Sequence, residues 1–289
     1  MKKIKVAIIG TGNIGTDLLI KILRETCMEL VAFVGRREES HGIQAALKMG
    51  VPVHWSGIEF FTTNPGACDV VYDCTDAESA RAHAKIFKEQ GIRVIDLTPA
   101  KVGEMCVPSI NPNAICENDN VNMITCGGQA TLPLINLIAK NCGELKYVEL
   151  VSQIASKSAG MATRINIDSY IHTTEEAIRK FTNCLDCKVI LNLNPAEPCV
   201  DMQTTIFIRA ENIDFDNMLI AINNRVTSIK EYVPNYELIF SPVINDQNIL
   251  VLSVRVKGLG DYLPKYAGNL DIINCASIEL TKKLWRTES

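Results

Sequence analysis

Three observations predict an α/β Rossmann dinucleotide-binding domain followed by a second, α+β domain. Short apolar strands alternate with helix-period stretches through the first half of the chain. A glycine-rich turn, Gly10-Thr-Gly-Asn-Ile-Gly15, follows the first strand directly. Beyond about Leu145 the strands lengthen and the helices become sparser. The expected division is residues 1–127, joined by a returning C-terminal helix at 270–289, against residues 128–269.

In chain order, Lys5-Val-Ala-Ile-Ile9 is a compact apolar strand. Ile14 to Glu25 is a helix, with Ile14, Leu18 and Ile22 four residues apart. Leu30 to Val34 is the second strand, and Val51 to Phe61 gives no clear pattern. Asp69–Asp73, Arg93–Leu97 and Val121–Thr125 read as further strands, with Glu78–Gln90 a helix between the first two. Such strands, apolar throughout, suit a parallel sheet covered on both faces. After Cys126 a small-residue turn leads into a helix over Leu132–Lys140. In the second domain, strands are expected at 146–155, 188–193, 204–209, 237–240 and 249–256. Helices are expected at 167–181, with Thr173 or Thr174 near its start, at 214–230, opened by acids that suit a helix N-terminus, and at 267–285. The second sheet should be mixed or antiparallel.

The bulk numbers exclude several classes. The 289 residues are 47% hydrophobic and 21% charged, ordinary for a globular protein. A formal charge of −4 leaves no basic footprint for nucleic acid. No stretch approaches the ~18 apolar residues that span a membrane, and Val6–Ile9 is too short for a signal peptide. A cytoplasmic location is expected. The eleven cysteines are scattered and odd in number, so disulfides are not expected. Cys184-Leu-Asp-Cys187 lacks the second ligand pair of a zinc site, so no metal is expected.

The glycine loop points to a nicotinamide cofactor. Gly10 permits the tight turn, Gly12 lets a phosphate approach the backbone, and Gly15 lets helix and strand pack closely. At the end of the second strand, where an acid would bind the ribose of NAD, this chain carries Val34-Gly-Arg-Arg-Glu-Glu-Ser40. Arg36, Arg37 and Ser40 suit the 2′-phosphate of NADP, whereas Glu38 or Glu39 turned inward would suit NAD.

Cys126 is the candidate nucleophile. It ends an apolar run and faces the N-terminus of a helix, whose partial positive charge favours thiolate. Gly127 and Gly128 free the backbone to bring N–H groups towards one point, as an oxyanion requires.

These segments resemble the acylating, CoA-dependent acetaldehyde dehydrogenases, the type that partners a 4-hydroxy-2-oxoacid aldolase. The resemblance is carried by GTGNIGTDLL (10–19), DLTPA (96–100), NMITCGGQAT (122–131), SKSAGMATRINID (156–168), NPAEP (194–198) and YLPKYAGNLDI (262–272). It implies that Cys126 forms an acyl thioester. It implies that Thr11, Gly12, Asn13 and Ile14 line the dinucleotide phosphates. A loop of Ser158, Ala159, Gly160, Met161, Ala162, Thr163, Arg164, Ile165 and Asn166 would lie against the cofactor, and Asn269 would reach the nicotinamide end. It further implies a second domain for catalysis and dimerisation, a homodimer, coenzyme A as co-substrate, and the aldolase as partner.

Three departures from the family pattern stand out. SAGPGTRAN is replaced by Ser158-Ala-Gly-Met-Ala-Thr-Arg-Ile-Asn166, the acid after the second strand by Arg36-Arg37, and MRDT by Met202-Gln-Thr-Thr205. The family Asp thought to assist the cysteine therefore falls on Thr204, which is no base. Asp201, three residues away on a strand, points to the opposite face. Either the helix terminus alone activates Cys126 or the activity differs. The expected reaction joins a short aliphatic aldehyde to coenzyme A through the cysteine thioester. The alternatives are a phosphorylating or hydrolytic semialdehyde dehydrogenase, for which His172 is the only histidine after Cys126, and a cofactor-binding partner subunit with little catalysis.

Overall fold

The computed structural model describes residues 2–288 and forms two compact units. The side chains of Met161, Ala162 and Glu288 lie outside the described set, so the expectations placed on the first two concern their backbone only. The first unit runs to Met123 and takes in Gly260–Leu263 and the residues from Asn274 onward. The second comprises Ile124–Leu259 and Pro264–Ile273.

The first unit is built from β1 (Ile4–Ile9), α1 (Asn13–Ile22), β2 (Met28–Val34), α2 (His41–Lys48), β3 (Val53–His54) and α3 (Glu59–Thr63). It continues with β4 (Val70–Asp73), α4 (Ala77–Glu89), β5 (Arg93–Asp96), β6 (Glu104–Met105), α5 (Ala114–Glu117) and β7 (Asn120–Asn122). The strands form one parallel sheet in the order β3-β2-β1-β4-β5-β7-β6. Alternating β and α segments dictate this arrangement, because parallel neighbours need a crossover between them. Ala7, Ile9, Val34, Val71 and Val94 pack in one cluster with Phe61 and Phe87, whose rings meet edge-on at 5.0 Å. Strand order reverses at β1, so the loops after β1, β2 and β4 converge on one crevice. The patternless stretch 51–61 holds β3 and the start of α3, both too short to show a period. Helix α1 stops at Ile22 rather than Glu25, since the Arg24 and Glu25 amides bond three residues back instead of four.

The second unit contains α6 (Cys126–Lys140), β8 (Leu145–Ala155), a 3₁₀ turn at Ser156–Ser158, α7 (Met161–Ile165) and α8 (Ile167–Thr182). Then come β9 (Cys187–Asn194), β10 (Met202–Ala210), α9 (Phe215–Lys230), β11 (Tyr236–Ile244) and β12 (Leu250–Val256). Its sheet is mixed, in the order β11-β12-β10-β8-β9, with only the β8–β9 pair parallel. Alternate residues of β8 (Val148, Leu150, Ser152, Ile154) and β10 (Met202, Thr204, Ile206, Ile208) are buried, the period of a sheet covered on one face. Helix α10 (Gly268–Glu288) begins in the second unit, and its residues from Asn274 belong to the first. No helix among the described residues is long and apolar enough to cross a membrane.

Three local expectations are corrected. The strand expected to run to Thr125 ends at Asn122, and Ile124 takes a left-handed φ of 64°. Helix α6 then begins at Cys126 itself, six residues before Leu132, with both glycines inside its first turn. Thr125 makes this possible: its hydroxyl accepts from the Gly128 amide at 2.9 Å, an N-cap worth ~1 kcal/mol. Thr173 and Thr174 lie in the middle of α8, fully buried, rather than near its start.

Candidate active site

In the first unit the three converging loops line a cavity of about 890 Å³. Ile9, Gly10, Thr11 and Gly12 come from the end of β1, and Gly35, Arg36, Arg37 and Ser40 from the end of β2. Cys74, Thr75, Asp76, Ser79 and His83 come from β4 and α4. Gly15 is required by close packing, because a Cβ there would lie 1.9 Å from the Gly10 carbonyl oxygen. Gly12 caps α1, no side chain occupies the cap, and the space where its Cβ would project is open. An uncapped helix N-terminus facing a cavity suits the phosphates of a dinucleotide, so the residues fit that group. Asn13, Ile14 and Gly15 open α1 behind it.

Arg36 and Arg37 are exposed, and they, not Glu38 or Glu39, line the cavity. Ser40 caps α2 through the Ile43 amide and lies 3.2 Å from the Thr11 hydroxyl, tying the two loops together. Two features escaped the sequence reading. His83 Nδ1 lies 2.8 Å from the buried Asp73 Oδ2, which holds the imidazole against the cavity wall. Asp76 caps α4, accepting from the Ser79 amide at 2.9 Å; that bond holds its carboxyl below the usual range. The signal was present in Asp76-Ala-Glu-Ser79, an acid preceding a helical run.

In the second unit, every residue from Ile124 to Asn136 is buried except Cys126, which is half-buried at the first position of α6. The Thr125 hydroxyl lies 2.8 Å from that of Thr174, which itself donates to the Tyr170 carbonyl at 2.7 Å. Asn136 donates to the Phe181 carbonyl at 2.7 Å, so α6 and α8 are pinned at both ends of their seam. This seam places Tyr170 directly over Gly127. A Cβ on Gly127 would stand 2.1 Å from Tyr170 Oη and 3.4 Å from Ser152 Oγ. Ser152 is in turn 2.9 Å from Thr204 Oγ1, across a directly paired position of β8 and β10.

Burial pushes the Cys126 thiol up to about 11, outweighing the Tyr170 hydroxyl and the amides of Gly127 and Cys126, which draw it down. The helix terminus therefore acts as expected but does not prevail alone: desolvation of the anion is the larger effect. Thr125 takes up the Gly128 amide with its hydroxyl and the Gln129 amide with its carbonyl. The amides of Cys126 and Gly127, which face the sulfur and in the case of Gly127 the Tyr170 hydroxyl, are the first-turn donors beside the place where an oxyanion would form.

The segment 158–166, expected as a loop, is helical over Met161–Ile165 and irregular at Ala159 and Gly160. A 3₁₀ turn leads into α7, and Asn166 precedes α8. Met161 and Ala162 stand where the family has Pro and Gly, and both favour helix. Ser158 and Ala159 are buried, whereas Gly160 and Ile165 are exposed and Thr163 half-buried. Arg164 is occupied in holding the turn, donating to the Ala159 carbonyl at 3.0 Å and the Ser156 carbonyl at 2.8 Å. Asn269 is buried and its Oδ1 has no hydrogen-bond partner, an orphaned acceptor suited to a carboxamide N–H₂. His172 is exposed on α8.

The sequence matches the family described as "Semialdehyde dehydrogenase, NAD binding domain" over residues 5–118 and "Prokaryotic acetaldehyde dehydrogenase, dimerisation" over residues 126–264. It is 49% identical to an acetaldehyde dehydrogenase of Spirochaeta aurantia, over 98% of this chain and 95% of the relative. The chain belongs to the acetaldehyde dehydrogenase family. A second member, from Pectobacterium atrosepticum, is 46% identical over 98% of this chain and 96% of its own. The fold matches aspartate semialdehyde dehydrogenase II of Vibrio cholerae, solved with ASA, at a TM-score of 0.69 and 16% identity over 99% of both chains. That likeness concerns the fold alone. The NAD-binding family match over residues 5–118 covers the part of the chain that carries the cavity of the first unit.

Proposed function

We propose that this chain oxidises a short aliphatic aldehyde, acetaldehyde or propanal, to an acyl thioester on Cys126 and passes the acyl group to coenzyme A. The observation that carries the reading is Cys126, the one half-buried residue in the otherwise buried run 124–136, at the first position of a capped helix. The sulfur adds to the aldehyde carbonyl, and the resulting oxyanion is met by the Cys126 and Gly127 amides. The oxidised nicotinamide cofactor, when bound, supplies the hydride acceptor. Cys126 then carries the acyl group until the thiol of coenzyme A displaces it. Coenzyme A as acceptor rests on the family resemblance.

NADP is the preferred cofactor in this reading, supported by Arg36, Arg37 and Ser40 at the cavity and by the outward Glu38 and Glu39. The orphaned Asn269 Oδ1 would accept from the cofactor's carboxamide. The backbone of 158–166 would line the cofactor, with Arg164 stiffening the turn rather than binding phosphate. A homodimer formed through the second unit is supported by the dimerisation family matched over 126–264. An aldolase partner and a cytoplasmic location complete the reading, the latter supported by eleven unpaired cysteines.

The test is reduction of NAD and NADP with acetaldehyde or propanal and coenzyme A, by wild type and Cys126→Ala. Reduction that needs coenzyme A and vanishes in Cys126→Ala is expected. Reduction that continues without coenzyme A and yields free carboxylate, or survives in Cys126→Ala, would overturn the reading.

A further inference from the structure

We propose that Tyr170 is the hydrogen-bond donor that stabilises the thiolate form of Cys126 against its burial, with Ser152 and Thr204 positioning its hydroxyl from behind. The proposal rests on Cys126 being the nucleophile, as argued above.

The geometry comes first. Tyr170 Oη occupies the space beside the first peptide of α6, at 2.1 Å from where a Gly127 Cβ would be. Only glycine after the cysteine admits the hydroxyl there. Ser152 Oγ approaches the same point, and its own partner is Thr204 Oγ1 at 2.9 Å. Three hydroxyls, from α8, β8 and β10, thus form a file that ends beside Cys126. Tyr170 is only 8% exposed, and Thr204 and Ser152 are buried more deeply still.

Second, the Tyr170 hydroxyl is buried among the Ser152 hydroxyl, the Gly127 amide and the Cys126 sulfur, and none of them gives it a hydrogen bond of full geometry. Leaving such a group unpaired is costly, so it calls for a partner. The Cys126 sulfur, on the residue next to Gly127, interacts with this hydroxyl, and each influences the other. A neutral thiol is a poor acceptor, whereas a thiolate is a strong one. Ionising Cys126 therefore satisfies the orphaned donor, and the orphaned donor favours ionisation.

Third, no charge competes. The influences on Cys126 are burial, Tyr170 and the amides of Cys126 and Gly127, with no charged side chain among them. From β10 the side chain facing this file is Thr204, from β8 it is Ser152, and His172 on α8 is exposed. The hydroxyl file fills the place of the missing carboxylate, but by a different chemistry. It accepts no proton. The thiol proton leaves to water, Tyr170 stays protonated and donates to the sulfur anion, and that anion supplies the electron pair for the new carbon–sulfur bond.

The test reads the thiol directly. Wild type and Tyr170→Phe are alkylated with iodoacetamide across pH 6–11, and modification of the Cys126 peptide is followed by mass spectrometry. A charge-assisted hydrogen bond implies that Tyr170→Phe raises the apparent pKa of Cys126 by about one and slows alkylation at pH 8 about tenfold. Its kcat/KM for aldehyde should fall at neutral pH and recover as pH rises, while KM for the cofactor holds. Ser152→Ala should shift the alkylation profile in the same direction by less, and it decides the matter should Tyr170→Phe fold poorly. Profiles superimposable on wild type, in Tyr170→Phe or, failing that, in Ser152→Ala, would overturn the proposal. Undiminished turnover by Cys126→Ala would instead overturn the nucleophile assignment, so the two failures are distinct.

Discussion

Replacing Gly127 by alanine tests how tightly the nucleophile is set. The added Cβ would lie 2.1 Å from Tyr170 Oη and 3.2 Å from Tyr170 Cζ. Carbon contacts settle at roughly 3.5–4.0 Å, so the hydroxyl contact is short by about an ångström or more. Neither side yields freely. Tyr170 sits on a helix tied to Thr125 through Thr174, and the Gly127 carbonyl accepts from Thr131 at 2.7 Å. The strain is relieved most readily by moving the first turn of α6, and Cys126 moves with it. Overpacking costs ~1–3 kcal/mol, of which Ala in a helix returns at most ~1 kcal/mol relative to Gly. At about 2–4 °C per kcal/mol for a chain of this size, Tm should fall by several degrees. The larger effect is on rate, since a displacement of ~1 Å at the reacting atom costs on the order of 10²-fold. The assay is kcat with aldehyde and coenzyme A, alongside thermal unfolding. Adding Tyr170→Phe removes the 2.1 Å contact and leaves the 3.2 Å one, so Tm should recover while activity does not. A Gly127→Ala enzyme with wild-type Tm and kcat within about twofold of wild type would refute the reasoning.

Four further outcomes are expected. Gly15→Ala places a Cβ 1.9 Å from a backbone oxygen, where no side chain can swing aside, so calorimetry should show cofactor binding lost. Arg36→Ala with Arg37→Ala should raise KM for NADP by about tenfold or more and leave that for NAD nearly unchanged, each phosphate contact being worth ~1.5–3 kcal/mol. Burial, only partly offset by hydrogen bonds from Thr98 and Asn122, pushes the Asp96 carboxyl up to about 6. The folded state thus binds this proton more tightly than the unfolded chain, whose value is ~3.9. Stability from this group is full below pH ~4 and is lost as pH rises through 6, so denaturation of wild type against Asp96→Asn should show wild type losing ~2–3 kcal/mol between pH 4 and 7. Finally, β11 is an edge strand that exposes Ile239, Phe240, Val243 and Ile244. Phe240→Glu with Val243→Glu should shift the protein to monomer in sedimentation, as an apolar edge covered by a second copy requires.

The parallel sheet and glycine loop were legible because both are local: apolar strands recur at regular spacing, and the loop's residue types follow from its backbone. The mixed second sheet was legible in its longer strands and sparser helices, and the alternation of buried and open positions in β8 and β10 agrees with it. The start of α6 was not. Two glycines read as a turn, yet here they are helical, and the cause of Gly127 lies in Tyr170, 43 positions away in sequence. Likewise Arg36 and Arg37 could be placed at the dinucleotide loop from their distance along the chain, but the inward or outward sense of Glu38 and Glu39 could not. The activation of Cys126 was read from the helix terminus alone. Desolvation, a property of everything packed around the sulfur, leaves no mark in a short motif. Asp73 with His83 was hidden for the same reason, as a pairing made between a strand end and the helix that follows.

The closing helix has a consequence for how the chain is made. Thr281 lies 2.5 Å from the Tyr72 hydroxyl, Trp285 donates to the Lys2 carbonyl at 3.1 Å, and Asn274 donates to Asp17 at 2.9 Å. The sheet to which Tyr72 belongs is synthesised before the side chains that cover this part of it, Thr281 following 209 residues later. This sheet therefore cannot be completed until well after its own strands are made, and until then Tyr72 and its neighbours stand uncovered. A nascent chain arrested before Asn274 should expose this surface to chaperones, and a fragment ending at Met123 should not reproduce the finished domain.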